Sequence, residues 1–159
     1  MELYLLRHGT AHSGRPGISD SARELTPEGA LDVERVAERA RAAGVEPELM
    51  ISSTFLRAAQ SAEIAARVLR YRGPIERSVA LLPDASPFDA WDDIRARAPG
   101  GPVLIAAHEP LLSGLAALLL DAPTLRIRVT TACMLAIDVE RPGPHSDGVL
   151  RWMVVPELA

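Results

Sequence analysis

Three short stretches set phosphate-compatible side chains directly after apolar runs. Arg7-His8-Gly9 follows Leu3 to Leu6, Ser52-Ser53-Thr54 leads on to Arg57 after Leu49 to Ile51, and His108 follows Val103 to Ala107. Arginine presents a planar fork of donors that matches phosphoryl oxygens and keeps its charge at ordinary pH. Histidine, with an unperturbed pKa of about 6.5, is a neutral nucleophile near pH 7. Gly9 is expected to permit a tight turn and let a ligand approach the backbone. A second histidine and two arginines around a histidine nucleophile would stabilise a transferring phosphoryl group through its equatorial oxygens. Singly, each residue is equally at home in a solvated turn or at a polar strand end. The joint pattern points to chemistry.

That pattern works only if the chain brings the three stretches together. Leu3 to Leu6, Leu49 to Ser52 and Val103 to Ala107 read as buried strands. Thr26-Pro27-Glu28 opens a helix with Thr26 as N-cap, and Gly44 ends it. Its apolar face is expected from Leu31, Val33, Val36, Ala37, Ala40 and Ala43. Further helices are expected over Phe55 to Leu69, with Ile64 and Val68 inward, over Pro87 to Ala98, and over Leu111 to Leu120. Ile75 to Leu82, Arg126 to Val139 and Val149 to Val155 read as extended, the last two separated by the turn-rich stretch 141–148. Strand–helix alternation followed by late strands predicts an α/β three-layer sandwich, a mostly parallel central sheet flanked by helices. In such sheets ligands bind beyond the carboxyl ends of the strands, where the three stretches would converge.

Composition narrows the chemistry further. The chain has 159 residues, 48 % hydrophobic and 24 % charged, which suits one domain over 1–159. Its 17 basic residues are all arginine, against 21 carboxylates, for a formal charge of −4. This excludes lysine chemistry such as a Schiff base or a P-loop, so phosphate must be gripped by arginine, histidine or backbone. The acidic balance argues against a nucleic-acid partner. Cys133, the one cysteine, forms no intrachain disulfide and reads as a core residue. The longest apolar run, Leu115 to Leu120, is too short to cross a bilayer, and the start of the chain does not read as a signal peptide. No membrane association and a cytoplasmic location are therefore expected.

Leu5-Leu6-Arg7-His8-Gly9 resembles the Arg-His-Gly signature of the histidine phosphatase (phosphoglycerate-mutase-like) superfamily. The stretch from Ser52-Ser53-Thr54-Phe55 to Leu56-Arg57-Ala58-Ala59-Gln60-Ser61-Ala62 resembles its second block, and Ala107-His108-Glu109-Pro110 its third. Small size, Leu25-Thr26-Pro27-Glu28-Gly29, Leu82-Pro83-Asp84-Ala85-Ser86-Pro87 and Val149-Leu150-Arg151-Trp152 look like the SixA-type phosphohistidine phosphatase branch. The resemblance implies a phosphoglycerate-mutase-like fold and a phosphatase. In it His8 is the nucleophile, Arg7 and Arg57 clamp the phosphoryl oxygens, and His108 binds the phosphoryl group. No metal or organic cofactor is implied.

Cleaving a phosphate ester usually needs a general acid. Asp84 and Glu109 are the candidates, although Glu109 is equally suited to a helix N-terminus. Phosphohistidine relaxes that need, because imidazole leaves without a strong acid. The favoured reading is thus removal of phosphate from a phosphohistidine-bearing protein. A small-molecule phosphomonoesterase using Asp84 or Glu109, and a catalytically weak phospho-binding module, are the alternatives. Arg23 stands either as a third phosphate clamp or in a salt bridge at the helix start. His12, four residues after His8, is not expected to complete a metal site, and His145 is expected to be solvated. Trp91 and Trp152 read as packing residues, and the Arg126-Ile127-Arg128 alternation as a strand with one wet face. Oligomeric state is not legible.

Overall fold

The computed structural model describes residues 1–98, 100–140, 143 and 146–159; His145 lies outside them. Ten main elements follow one another: β1 (Glu2–Arg7), α1 (Pro27–Ala42), β2 (Leu49–Ser53), α2 (Leu56–Leu69), β3 (Ile75–Ser78), α3 (Pro87–Arg97), β4 (Val103–Ala107), α4 (Leu111–Leu119), β5 (Met134–Asp138) and β6 (Val149–Val154). The strands form one six-stranded sheet in the order β3-β2-β4-β1-β5-β6. Its β1–β4, β2–β4 and β2–β3 pairs are parallel, and its β1–β5 and β5–β6 pairs are antiparallel. The expected three-layer α/β architecture is present.

Alternation along the buried strands divides the interior in two. Leu3, Leu5, Ile51, Ile105 and Leu135 face a core closed by Trp91 and Ile94 of α3 and by Leu112 and Leu115 of α4. Tyr4, Leu6, Met50, Leu104 and Met134 face the other core, closed by Val33, Val36, Ala62 and Ala65 of α1 and α2. Trp152 stacks on Tyr4 at 6.1 Å between ring centroids, so both tryptophans pack. Cys133 is fully buried, and burial pushes its thiol up to about 12. Among the described residues, no helix is long and apolar enough to cross a membrane.

The start of α1 is built as expected: Thr26 Oγ1 accepts from the Gly29 N–H at 2.9 Å, with Pro27 in the first turn. Its end is a Schellman turn. The Gly44 N–H reaches the Arg41 carbonyl and the Val45 N–H the Ala40 carbonyl, with Gly44 at φ 84°. Leu31, by contrast, is exposed, because it lies two residues from Val33 and so points nearly opposite the Val33-Val36-Ala37-Ala40 stripe.

Two extended readings are shorter than expected. Ile75 to Leu82 is a strand only to Ser78, whose hydroxyl caps a 3-10 turn over Val79–Leu81. Of Arg126 to Val139 only Met134–Asp138 pairs. The alternation over 126–129 is real, with Val129 buried and both arginines exposed. However, β1 pairs with β5 only as far as Leu6↔Met134, so the earlier residues have no strand to join. They form a loop at the end of the sheet instead.

Candidate active site

Since β4 lies between β1 and β2, the three strand ends that carry the chemically interesting residues are neighbours. Arg7 pairs with Ala107, and the His8 N–H bonds the Ala107 carbonyl at 3.1 Å. His8 and His108 therefore sit side by side, with ring centroids 4.9 Å apart. Arg57 enters from the first turn of α2 and is 6 % exposed. Phe55, just before that turn, lies under the Arg57 guanidinium at 4.9 Å and sets its edge against His108 at 5.2 Å.

The hydrogen bonds fix the state of His8. Its Nδ1 donates to the Gly9 carbonyl at 2.7 Å, and its Nε2 accepts from Arg57 Nε at 3.2 Å. Burial, with Arg57 and Arg7 nearby, lowers its pKa to about 4. Near pH 7 the ring is therefore neutral, with the lone pair on Nε2 beside a guanidinium. Burial, His8 and Arg57 likewise lower His108 to about 3. The His108 Nε2 lies 2.8 Å from Ser53 Oγ, and its Nδ1 is buried without a partner among the described residues. Arg7 is anchored through NH1 on the Val129 carbonyl at 2.6 Å, while its Nε is also buried and unpartnered there. Buried polar atoms without partners are rare in a finished fold, and here two belong to the neighbouring Arg7 and His108.

Asp20, which sequence reasoning missed, is the carboxylate that touches this group. Its carbonyl accepts from Arg57 NH1 at 2.7 Å and its Oδ2 from Arg57 NH2 at 3.1 Å. Its Oδ1 accepts from Arg23 NH1 at 2.8 Å, and Arg23 Nε donates to the His12 carbonyl at 2.6 Å. Hydrogen bonds from Arg23 and then Arg57 hold the Asp20 carboxyl below its usual range. Arg23 thus makes a salt bridge, one of the two roles open to it, and the bridge joins it to Arg57. His12 is exposed. Only the Asp20-Ser21-Ala22 turn next to Arg23 hinted at Asp20, and nothing in its spacing marked it out.

Neither expected acid touches the pocket through a hydrogen bond or ion pair among the described residues. Asp84 is exposed in the turn before α3. Glu109 Oε2 accepts from the Ser113 N–H at 3.1 Å, the helix-start role. Gly9 also differs from expectation. A Cβ there would meet the Gly29 carbonyl oxygen at 2.3 Å, so the glycine lets the β1 exit pack on α1 rather than admit a ligand. Ser61 and Gln60 complete the support: Ser61 Oγ accepts from the Gly9 N–H at 3.1 Å, and Gln60 Oε1 from the Leu25 N–H at 2.8 Å.

Comparison with known proteins is consistent with this geometry. Residues 3–81 match the model of the histidine phosphatase superfamily (branch 1). An uncharacterised protein of Picosynechococcus is 29 % identical, over 99 % of this chain and 98 % of its own. The phosphohistidine phosphatase SixA of Escherichia coli is 27 % identical, over 98 % and 94 %. A structure of the protein histidine phosphatase SixA with tungstate superposes with a TM-score of 0.85, at 27 % identity, covering 98 % of this chain and 97 % of that one.

Proposed function

We propose that this chain is a phosphatase of the histidine phosphatase superfamily, whose model its residues 3–81 match, and that it removes the phosphoryl group from phosphohistidine on a partner protein. The observation that carries the reading is the unprotonated Nε2 of His8, held by Arg57 Nε in a pocket of two arginines and two histidines. In the first step Nε2 attacks phosphorus in line. The bond from phosphorus to the substrate imidazole breaks, and its electron pair leaves with that nitrogen. Arg7 and Arg57 neutralise the equatorial oxygens and His108 donates to one of them. Water then attacks the phosphorylated His8, inorganic phosphate departs, and the free ring is restored. Arg23 supports the clamp through Asp20.

The leaving group follows from the carboxylates. Asp20 is ionised against Arg23 and Arg57 and is no proton donor near neutral pH. Glu109 is engaged at the start of α4. Such a site suits a P–N bond, whose imidazole departs without a general acid, better than a P–O bond that expels an alkoxide. The resemblance to SixA over nearly the whole chain supports the same substrate class.

Two measurements test this. A protein carrying phosphohistidine and a panel of phosphate esters are offered in parallel; the phosphoprotein is expected to turn over faster. Efficient turnover of one small ester, with none of the phosphoprotein, would refute the substrate class. Rapid quenching should trap acid-labile phosphate on the enzyme, and His8→Ala should abolish it. Label that survives this substitution would place the nucleophile elsewhere.

A further inference from the structure

We infer that Ser53 is a positioning residue that locks His108 in the tautomer with its proton on Nδ1, aiming that N–H at the phosphoryl group. This role rests on His108 as a phosphoryl donor and extends that reading to a residue with no contact to substrate.

The hydrogens around Ser53 leave one arrangement that satisfies them all. Ser53 is fully buried at the end of β2, and His108 is 1 % exposed at the end of β4, the adjacent strand. The Ser53 hydroxyl oxygen accepts from the Phe55 N–H at 3.4 Å, at the start of α2. Its one hydrogen then needs an acceptor, and the atom at hydrogen-bond distance is His108 Nε2, 2.8 Å away. Ser52 does not compete for that place, because its own hydroxyl donates to the Ser53 carbonyl at 2.8 Å. If Nε2 carried the proton it would donate to Ser53 Oγ, and the hydroxyl hydrogen would be buried with nothing to bond among the described residues. A neutral imidazole with an accepting Nε2 must carry its proton on Nδ1. That nitrogen is the buried ring atom without a partner among the described residues.

The two histidines therefore have opposite duties set by different partners. The Gly9 carbonyl takes the Nδ1 proton of His8 and leaves a lone pair on Nε2 for attack. Ser53 occupies Nε2 of His108 and leaves an N–H on Nδ1 for donation. Exchanging the tautomer of His108 would present a lone pair to an anion, a repulsive contact where an attractive one is needed.

Nitrogen-15 NMR of the full chain tests this directly, with the His108 signals assigned by their loss in His108→Gln. The wild-type protein should show His108 neutral and protonated at Nδ1 near pH 7, and tungstate should shift that N–H. Ser53→Ala should move the population toward the Nε2 tautomer. It should also slow phosphoenzyme formation about tenfold with little change in KM, and Ser53→Thr should restore both. An Nε2-protonated His108 in the wild-type protein would overturn the inference even if no variant folds. So would Ser53→Ala with unchanged tautomer and labelling rate. The tautomer is read without any substrate, so a failure to hydrolyse phosphohistidine would count against the substrate class and not against Ser53.

Discussion

Each of the two central histidines is defined by what its second nitrogen touches, and each arginine by what anchors it in the pocket. Arg57 spends Nε on His8 and one bond from each terminal nitrogen on Asp20. Asp20 thus places a negative charge against the cations that would meet a phosphoryl group, with its side chain 57 % exposed. Asp20→Asn removes that charge at nearly constant shape. It should tighten tungstate or inorganic phosphate binding several-fold at low salt, and the gain should shrink as added salt screens the field. Titration calorimetry at two salt concentrations measures both; unchanged or weaker anion binding would contradict an opposing role for Asp20. Arg7, His8, Arg57 and His108 were legible in the sequence because each follows a buried strand at the same sheet edge. Ser53 and Phe55 lie in a stretch the sequence marked out, but their contacts with His108 and Arg57, like those of Asp20, are encoded by no spacing. Those contacts arise when loops far apart in sequence fold over one another, as Asp20 does over Arg57.

At the level of elements, the pocket depends on how the exit of β1 seats against the first turn of α1. The Gly9 and Gly29 backbones approach so closely that a Cβ on Gly29 would meet the Thr10 carbonyl oxygen at 2.2 Å, the reciprocal of the Gly9 contact. Thr26 ties the same region together, its N–H reaching the Thr10 carbonyl at 2.9 Å while its hydroxyl caps α1. Gly9→Ala must push β1 and α1 apart and should cost about 1–3 kcal/mol, the range for overpacking. Because the His8 Nδ1 bond ends on the Gly9 carbonyl, activity should fall as well. Thr26→Ala removes the cap together with the hydroxyl's 3.2 Å hydrogen bond to the Thr10 carbonyl, and about 1–2 kcal/mol with them. Urea unfolding compares the two; a Gly9→Ala protein of wild-type stability would show that the packing relaxes freely. The helices, caps and breaks were readable because periodicity and capping are local. The loop at 126–133 and the short β3 were not, because whether an alternating stretch becomes a strand depends on an unpaired neighbour, and that is a property of the sheet.

For the whole molecule, a formal charge of −4 coexists with a pocket that gathers Arg7, Arg57 and Arg23 around two buried neutral rings. The arrangement links stability to pH. In the unfolded chain a histidine takes up its proton at about pH 6.5, whereas His8 and His108 do so only near 4 and 3 when folded. Between those values the unfolded chain binds more protons, so stability present above about pH 6.5 is lost as pH falls toward 4. At about 1.4 kcal/mol per pH unit for each ring below pH 6.5, the combined loss between pH 7 and pH 5 is on the order of a few kcal/mol. Urea unfolding at pH 7 and pH 5 should show the drop, and the double substitution His8→Gln with His108→Gln should flatten it. A slope that survives the double substitution would assign the acid sensitivity to other groups. Anion binding acts on the same equilibrium. A phosphoryl mimic that binds only the folded pocket adds about 2.7 kcal/mol at a hundred times its Kd. At pH 5 tungstate should therefore raise the melting temperature of the wild-type protein and recover part of what acid removes. An Arg57→Met protein, lacking the clamp, should gain little from it.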